Sequence, residues 1–150
     1  MAMEKKIQKA FIDEGFGFKV RILNASMVKV RGEWTPNINY NELAKVVLHA
    51  LCHKPGRLTG AEIRFIRQHF EMTLQAFADR FCVTHVAVIK WEKSKNKPTA
   101  MAWATEKDLR LFVLSKLQPK ASEIAALYAE LEKERREATS GVDVDAKMVA

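Results

Sequence analysis

The chain has 150 residues, 48% of them apolar and 29% charged, which allows one packed core and argues against global disorder. A formal net charge of +7 favours a polyanionic partner, with nucleic acid ahead of an anionic membrane surface. Two cysteines, Cys52 and Cys82, exclude a disulfide scaffold and fit a reducing, cytoplasmic setting, and the longest apolar run, Val46 to Cys52, is far too short to span a membrane.

Along the chain, residues 18–31 alternate apolar and basic positions. Phe18, Val20 and Ile22 flank Lys19 and Arg21, and Met27, Val28 and Val30 flank Lys29 beyond Asn24-Ala25-Ser26. Two period-2 runs across a short polar break predict an antiparallel hairpin. Asn39 stands three residues before Glu42, as in a capping box, and Leu43, Val46, Val47, Ala50 and Leu51 then follow helical spacing up to Pro55-Gly56.

From residue 57 on, the pattern is helical. Thr59 and Glu62 form a second capping box before Ile63, Ile66 and Phe70. Thr73 caps a short helix, Leu74 to Phe81, and Thr84 another, His85 to Lys93, followed by a loop to Pro98. Thr105 and Asp108 look like the next cap, before Leu109, Phe112, Val113 and Leu117; Ser122 looks like the last, before Ile124, Leu127, Tyr128 and Leu131. Residues from Thr139 on show little periodicity and are expected to fray. The fold class this predicts is mostly α. Residues 57–118 would be a domain of four to five helices, residues 1–56 a small α+β segment for dimerisation or partner binding, and residues 119–150 an amphipathic helix with a flexible tail.

Charge divides along the same lines. Residues 57–120 hold twelve basic and six acidic side chains, whereas residues 1–56 are net +4 and residues 121–150 net −3. The basic segment contains the motif that decides the reading, residues 74–93. Two short helices joined by a tight turn pack only if a small residue lies where they cross, and Ala78 supplies it. Phe77, Phe81, Val83, Val88 and Trp91 fall where both helices face the domain core. Cys82, four residues after Ala78, takes the turn position that usually has positive φ. Thr84, His85, Val86, Ile89, Lys90 and Lys93 are left on the outer face. That is the helix-turn-helix pattern, whose second helix enters the DNA major groove.

These residues resemble the Xre/Cro-type regulators. Met72-Thr73-Leu74-Gln75-Ala76-Phe77-Ala78, Cys82-Val83-Thr84 and Val88-Ile89-Lys90-Trp91-Glu92-Lys93, with Pro98 beyond, are similar to that family's Leu-Thr-Gln-x-x-Phe-Ala, Gly-Val-Ser and Val-x-x-Trp-Glu-x-Gly stretches. The likeness covers roughly residues 58–117. It implies a DNA-binding domain, usually dimeric, in a repressor or an antitoxin. Three positions depart from the pattern: Leu74 replaces a Gln that often touches the backbone, Cys82 replaces the turn Gly, and Ser94 replaces the second Gly.

Thr73, Gln75, Thr84, His85, Val86, Ile89, Lys90, Lys93, Lys95 and Lys97 are therefore the expected DNA-contacting residues, with the loop lysines on phosphates. The competing reading for the lysines is an ordinary solvated helix face. His49, Cys52 and His53 share helical spacing, but no second ligand pair accompanies them, so no metal or other cofactor is expected. No phosphate loop, nucleophile elbow or His-Glu-x-x-His motif is present, so no catalytic residues are assigned. The expected partners are double-stranded DNA and a second copy of the chain, with no membrane. The rival reading is an interaction module that neutralises a toxin or other protein through residues 1–56.

Overall fold

The computed structural model describes residues 3–137 and 139–149. It overturns the mostly-α expectation. The described residues form an α+β fold of six helices and a four-stranded mixed sheet. Strands β1 (Lys5–Asp13), β2 (Val20–Val30) and β3 (Glu33–Pro36) form an antiparallel meander. Then come α1 (Tyr40–Cys52), α2 (Gly60–His69), α3 (Leu74–Arg80), α4 (His85–Lys93), α5 (Trp103–Ser115) and α6 (Ala121–Glu130). Strand β4 (Val142–Asp145) returns to pair in parallel with β2, and one turn of 3-10 helix follows at Ala146–Met148.

The expected hairpin across Asn24 is a single strand. Asn24 takes a left-handed φ of 54°, a conformation its short polar side chain tolerates; the ladder to β1 skips the Lys9–Asn24 pair and resumes in the same register. The alternation slips by one residue there, so Val20 and Ile22 before it and Ala25 and Met27 after it all enter the core. The same slip hides β1 from a period-2 search. The true turn lies at Arg31-Gly32, both with positive φ, which is the two-residue geometry that matches strand twist.

The fraying tail is also corrected. Val142 and Val144 alternate with Asp143 and Asp145, a signal only four residues long, yet Val144 is buried. Two caps move as well. α5 starts at Trp103, leaving Thr105 and Asp108 inside it, and α6 starts after Lys120, whose N–H donates to Glu123. The caps at Asn39, Thr59, Thr73 and Thr84 all accept from first-turn N–H groups.

One apolar cluster runs from Val20, Ile22 and Met27 through Leu43, Val47 and Leu51 to Ile63, Phe77, Val88, Leu109 and Leu127. A buried polar network fastens α1, α2, α5 and the tail together. Glu62 accepts two bonds from Lys54 Nζ, one from the Thr59 N–H and one from the Gly141 N–H. Arg110 donates to Glu106 and to the carbonyls of Cys52, Lys54 and Gly56; Arg57 also donates to Glu106. Each carboxylate and each of its cations is thereby satisfied, the condition under which buried charge is tolerated.

Candidate nucleic-acid interface

The site is built on the crossing of α3 and α4. Phe77, Ala78 and Phe81 from the first, and Val88 and Trp91 from the second, are buried. Phe77 and Phe81 meet edge to face, and Phe81 meets Phe112 of α5 likewise. Between the helices Cys82 has φ 58°, the left-handed geometry of the turn position, and the Val83 N–H donates to the Ala78 carbonyl across it. Thr84 then caps α4 through the Ala87 N–H.

α2 fixes where α4 ends. A Cβ on Gly60 would collide with the Trp91 carbonyl, so only glycine lets the two backbones approach this closely. The N–H groups of Gly60 and Ala61, unpaired within their own helix, donate to the carbonyls of Lys97 and Lys95. The loop after α4 is thus held by its backbone, and the side chains of Lys95, Asn96 and Lys97 stand exposed.

The N-cap Thr84 and, on α4 itself, His85, Val86, Lys90 and Lys93 are exposed, while Ile89 is half-buried. Val86, 48% exposed, is therefore the larger apolar group offered outward. The helix has one carboxylate, Glu92, and it is turned away. Its two oxygens accept from Arg67 Nε and Nη2 at 2.8 and 3.0 Å, and Arg67 also donates to the Met72 carbonyl. The Glu92 hydrogen bond raises the Arg67 pKa, against the opposing effect of burial. Arg67 is thus committed to holding α2 on α4. Arg64, on the exposed side of α2, lines a cleft of about 450 Å³ with Lys95 and Asn96.

Thr73 and Gln75 lie on the exposed side of α3. The Thr73 hydroxyl accepts from the Ala76 N–H, and the Gln75 amide donates to Asp79 at 2.7 Å. Lys90, Lys93, Lys95 and Lys97 make no ion pair among the described residues. All ten residues expected at the interface belong to α3, α4, their N-caps Thr73 and Thr84, or the loop after α4. Comparison with family profiles, characterised proteins and solved structures returns no match to this chain.

The histidine–cysteine trio on α1 does not converge. Cys52 points into the core, where burial pushes its thiol pKa up to about 12, and His53 Nδ1 lies 3.0 Å from Glu130. Among the described residues no three His, Cys, Asp or Glu side chains are grouped to hold a metal. Sequence reasoning also missed the roles of Arg110, Glu106, Arg57 and Lys54. The i, i+4 spacing of Glu106 and Arg110 was the available signal, and it reads equally well as a surface pair.

Among the described residues no helix is long and apolar enough to cross a membrane.

Proposed function

We propose that the protein is a sequence-specific regulator of transcription that binds double-stranded DNA and reads the major groove with α4. The observation that carries this reading is the composition of the outer face of α4 and its loop. It offers a histidine, four lysines and an exposed valine, and its only carboxylate is turned inward onto Arg67. Glu92 shares the cleft of Arg64, Lys95 and Asn96, but both its oxygens are held by Arg67, so a polyanion approaching that face meets a carboxylate whose charge is already answered.

Roles follow from position. Lys90 sits mid-helix on the open face, where its ammonium can reach guanine O6 and N7. Val86 offers apolar contact to a thymine methyl, with Ile89 beside it. Thr84 and His85 stand at the helix start, next to the phosphates that border the groove. Lys93, Lys95 and Lys97, with Arg64, supply charge to the DNA backbone. Thr73 keeps its O–H free to donate to phosphate while the oxygen caps α3. Gln75 would have to leave Asp79 to reach DNA, so it contributes least. The resemblance to Xre/Cro-type regulators points to a repressor or an autoregulating antitoxin.

The test is selection from a random duplex pool, followed by anisotropy titrations of the recovered sequence at two salt concentrations. A single enriched motif with affinity falling steeply in salt supports the reading. No enrichment, or affinity independent of salt, refutes it.

A further inference from the structure

On α1, Glu42, Lys45, Val46 and His49 recur at i, i+3, i+4 and i+7, so they share one face of the helix. Opposite them stand His69, the last residue of α2, and Lys116 and Leu117, where α5 ends. With Met148 from the 3-10 turn they line a cleft of about 400 Å³, within the range of small-molecule sites.

The charges of this cleft do not cancel. Lys45 and Lys116 bring two ammonium groups against one carboxylate, Glu42, which lies 3.4 Å from Lys45 Nζ. Lys116 makes no ion pair among the described residues, and its Nζ lies 5.3 Å over the Phe112 ring. Of the histidines, His53 alone is hydrogen-bonded among the described residues, to Glu130, so His49 and His69 each keep an N–H to donate. The larger cavity, about 630 Å³ beside β4, offers less: Arg21, Lys54 and His53 there each already face a carboxylate.

We infer that the cleft binds a small organic monocarboxylate, its acid group between Lys45, Lys116 and the two imidazoles and its apolar body on Val46, Leu117 and Met148. One carboxylate answers the one positive charge left over. Among the described residues no arginine lines the cleft, and it sits where α2 and α5 end, so helix carbonyls oppose the denser charge of a phosphate. Two ammonium groups likewise repel a metal cation, and among the described residues no cluster there could hold one.

Protonation follows the ligand. Partial burial holds both imidazoles below their ordinary pKa; His53 adds to this at His49 and Lys45 at His69, while Glu123 of α6 opposes it at His49. Glu42 and Lys116 complete the charged groups around the cleft. Both rings are therefore mostly neutral at about pH 8, and a bound carboxylate favours their charged forms. Binding takes up protons and tightens as pH falls from about 8 to about 6. The inference does not depend on DNA binding.

The probes are hexanoate, benzoate and phenylacetate, each beside its neutral amide, followed through the imidazole Cε1–H signals in proton NMR. At least one acid should shift the His49 and His69 signals saturably, with a Kd of about 1–10 mM as suits a fragment of this size. It should bind at least threefold more tightly at pH 6 than at pH 8, leave the His85 signal in place, and outbind its amide. Lys116→Gln should weaken that acid at least threefold, whereas Lys9→Gln, on exposed β1, should leave binding unchanged. No saturable shift with any acid, an amide that binds as well as its acid, or inorganic phosphate that binds more tightly than every acid would overturn the inference. So would affinity that fails to rise at lower pH, or indifference to Lys116→Gln.

Discussion

Arg110, Lys54 and Arg57 lie in or against the core with their charge answered, whereas Lys90, Lys93, Lys95 and Lys97 stand on the surface with no carboxylate paired to them. All but Lys54 fall in the basic segment 57–120, where net charge counts them alike. Burial pulls the Arg110 guanidinium down from its ordinary pKa and Glu106 pulls it back up, so its proton serves the fold. The exposed lysines keep their hydration and can exchange it, with condensed counterions, for phosphate. A count of basic residues therefore overstates what residues 57–120 can offer a polyanion, because Arg57 and Arg110 are spent on assembling the core, whereas the net charge already subtracts the carboxylates buried with them.

The difference is sharpest when each region loses one partner. Glu106→Ala strands the buried Arg110 without an anion and leaves Arg57 only Glu134, and the expected loss is about 3–5 kcal/mol. Urea unfolding monitored by circular dichroism measures it. A loss below about 1 kcal/mol would mean that water reaches Arg110 and that the buried class does not exist.

Lys90→Ala makes the opposite forecast: stability within about 0.5 kcal/mol of the parent, but specific binding weaker by about 1–3 kcal/mol with relaxed preference at one base pair per half-site. Lys97→Ala should weaken all sequences alike and reduce the salt slope by roughly one counterion per site. Titrations of both variants on preferred and scrambled duplexes separate the two. Equal losses for Lys90→Ala on both would make it a phosphate contact and move the reading face elsewhere on α4.

The sequence discloses these two regions unequally. The α3–α4 crossing was legible because two short helices joined by a tight turn force residue types onto fixed offsets: Ala78 at the crossing, Cys82 at the turn, Thr73 and Thr84 at the caps. The sheet was not. Asn24 slips the alternation of β2 by one residue and so mimics a turn, and β1 carries the matching slip. β4 is four residues long and pairs with a strand more than a hundred residues upstream, a distance no local pattern reports. The polar network was hidden for a related reason. Arg110 and Glu106 look like a solvent-facing pair until the carbonyls of Cys52, Lys54 and Gly56 converge on the guanidinium.

Cysteines divide along the same line, with smaller effects. Cys82→Gly relieves a left-handed Cβ but gains unfolded-state entropy, so thermal unfolding should show a change between zero and about 1 kcal/mol in favour of glycine. A clear destabilisation would show that the Cys82 side chain contributes packing. Cys52, buried and with its pKa pushed up to about 12, stays a protonated thiol at pH 8, whereas Cys82 is exposed. A thiol reagent at pH 8 should modify one cysteine in the native protein and both in denaturant. Rapid native labelling of both would show the core around α1 opening far more readily than its packing implies.

The parallel pairing of β4 with β2 also sets a clock on synthesis. Arg21 and its partner Asp143 are 122 residues apart, and at roughly 5–20 residues per second a ribosome needs about 6–25 s to travel from one to the other. Throughout that interval the Val20–Leu23 edge of β2 has no neighbour on that side, and Glu62 lacks the Gly141 N–H that later completes its set of donors. The nascent chain spends those seconds with an open strand edge of the kind that invites pairing with other chains, so the final strand acts as the closing step of biogenesis.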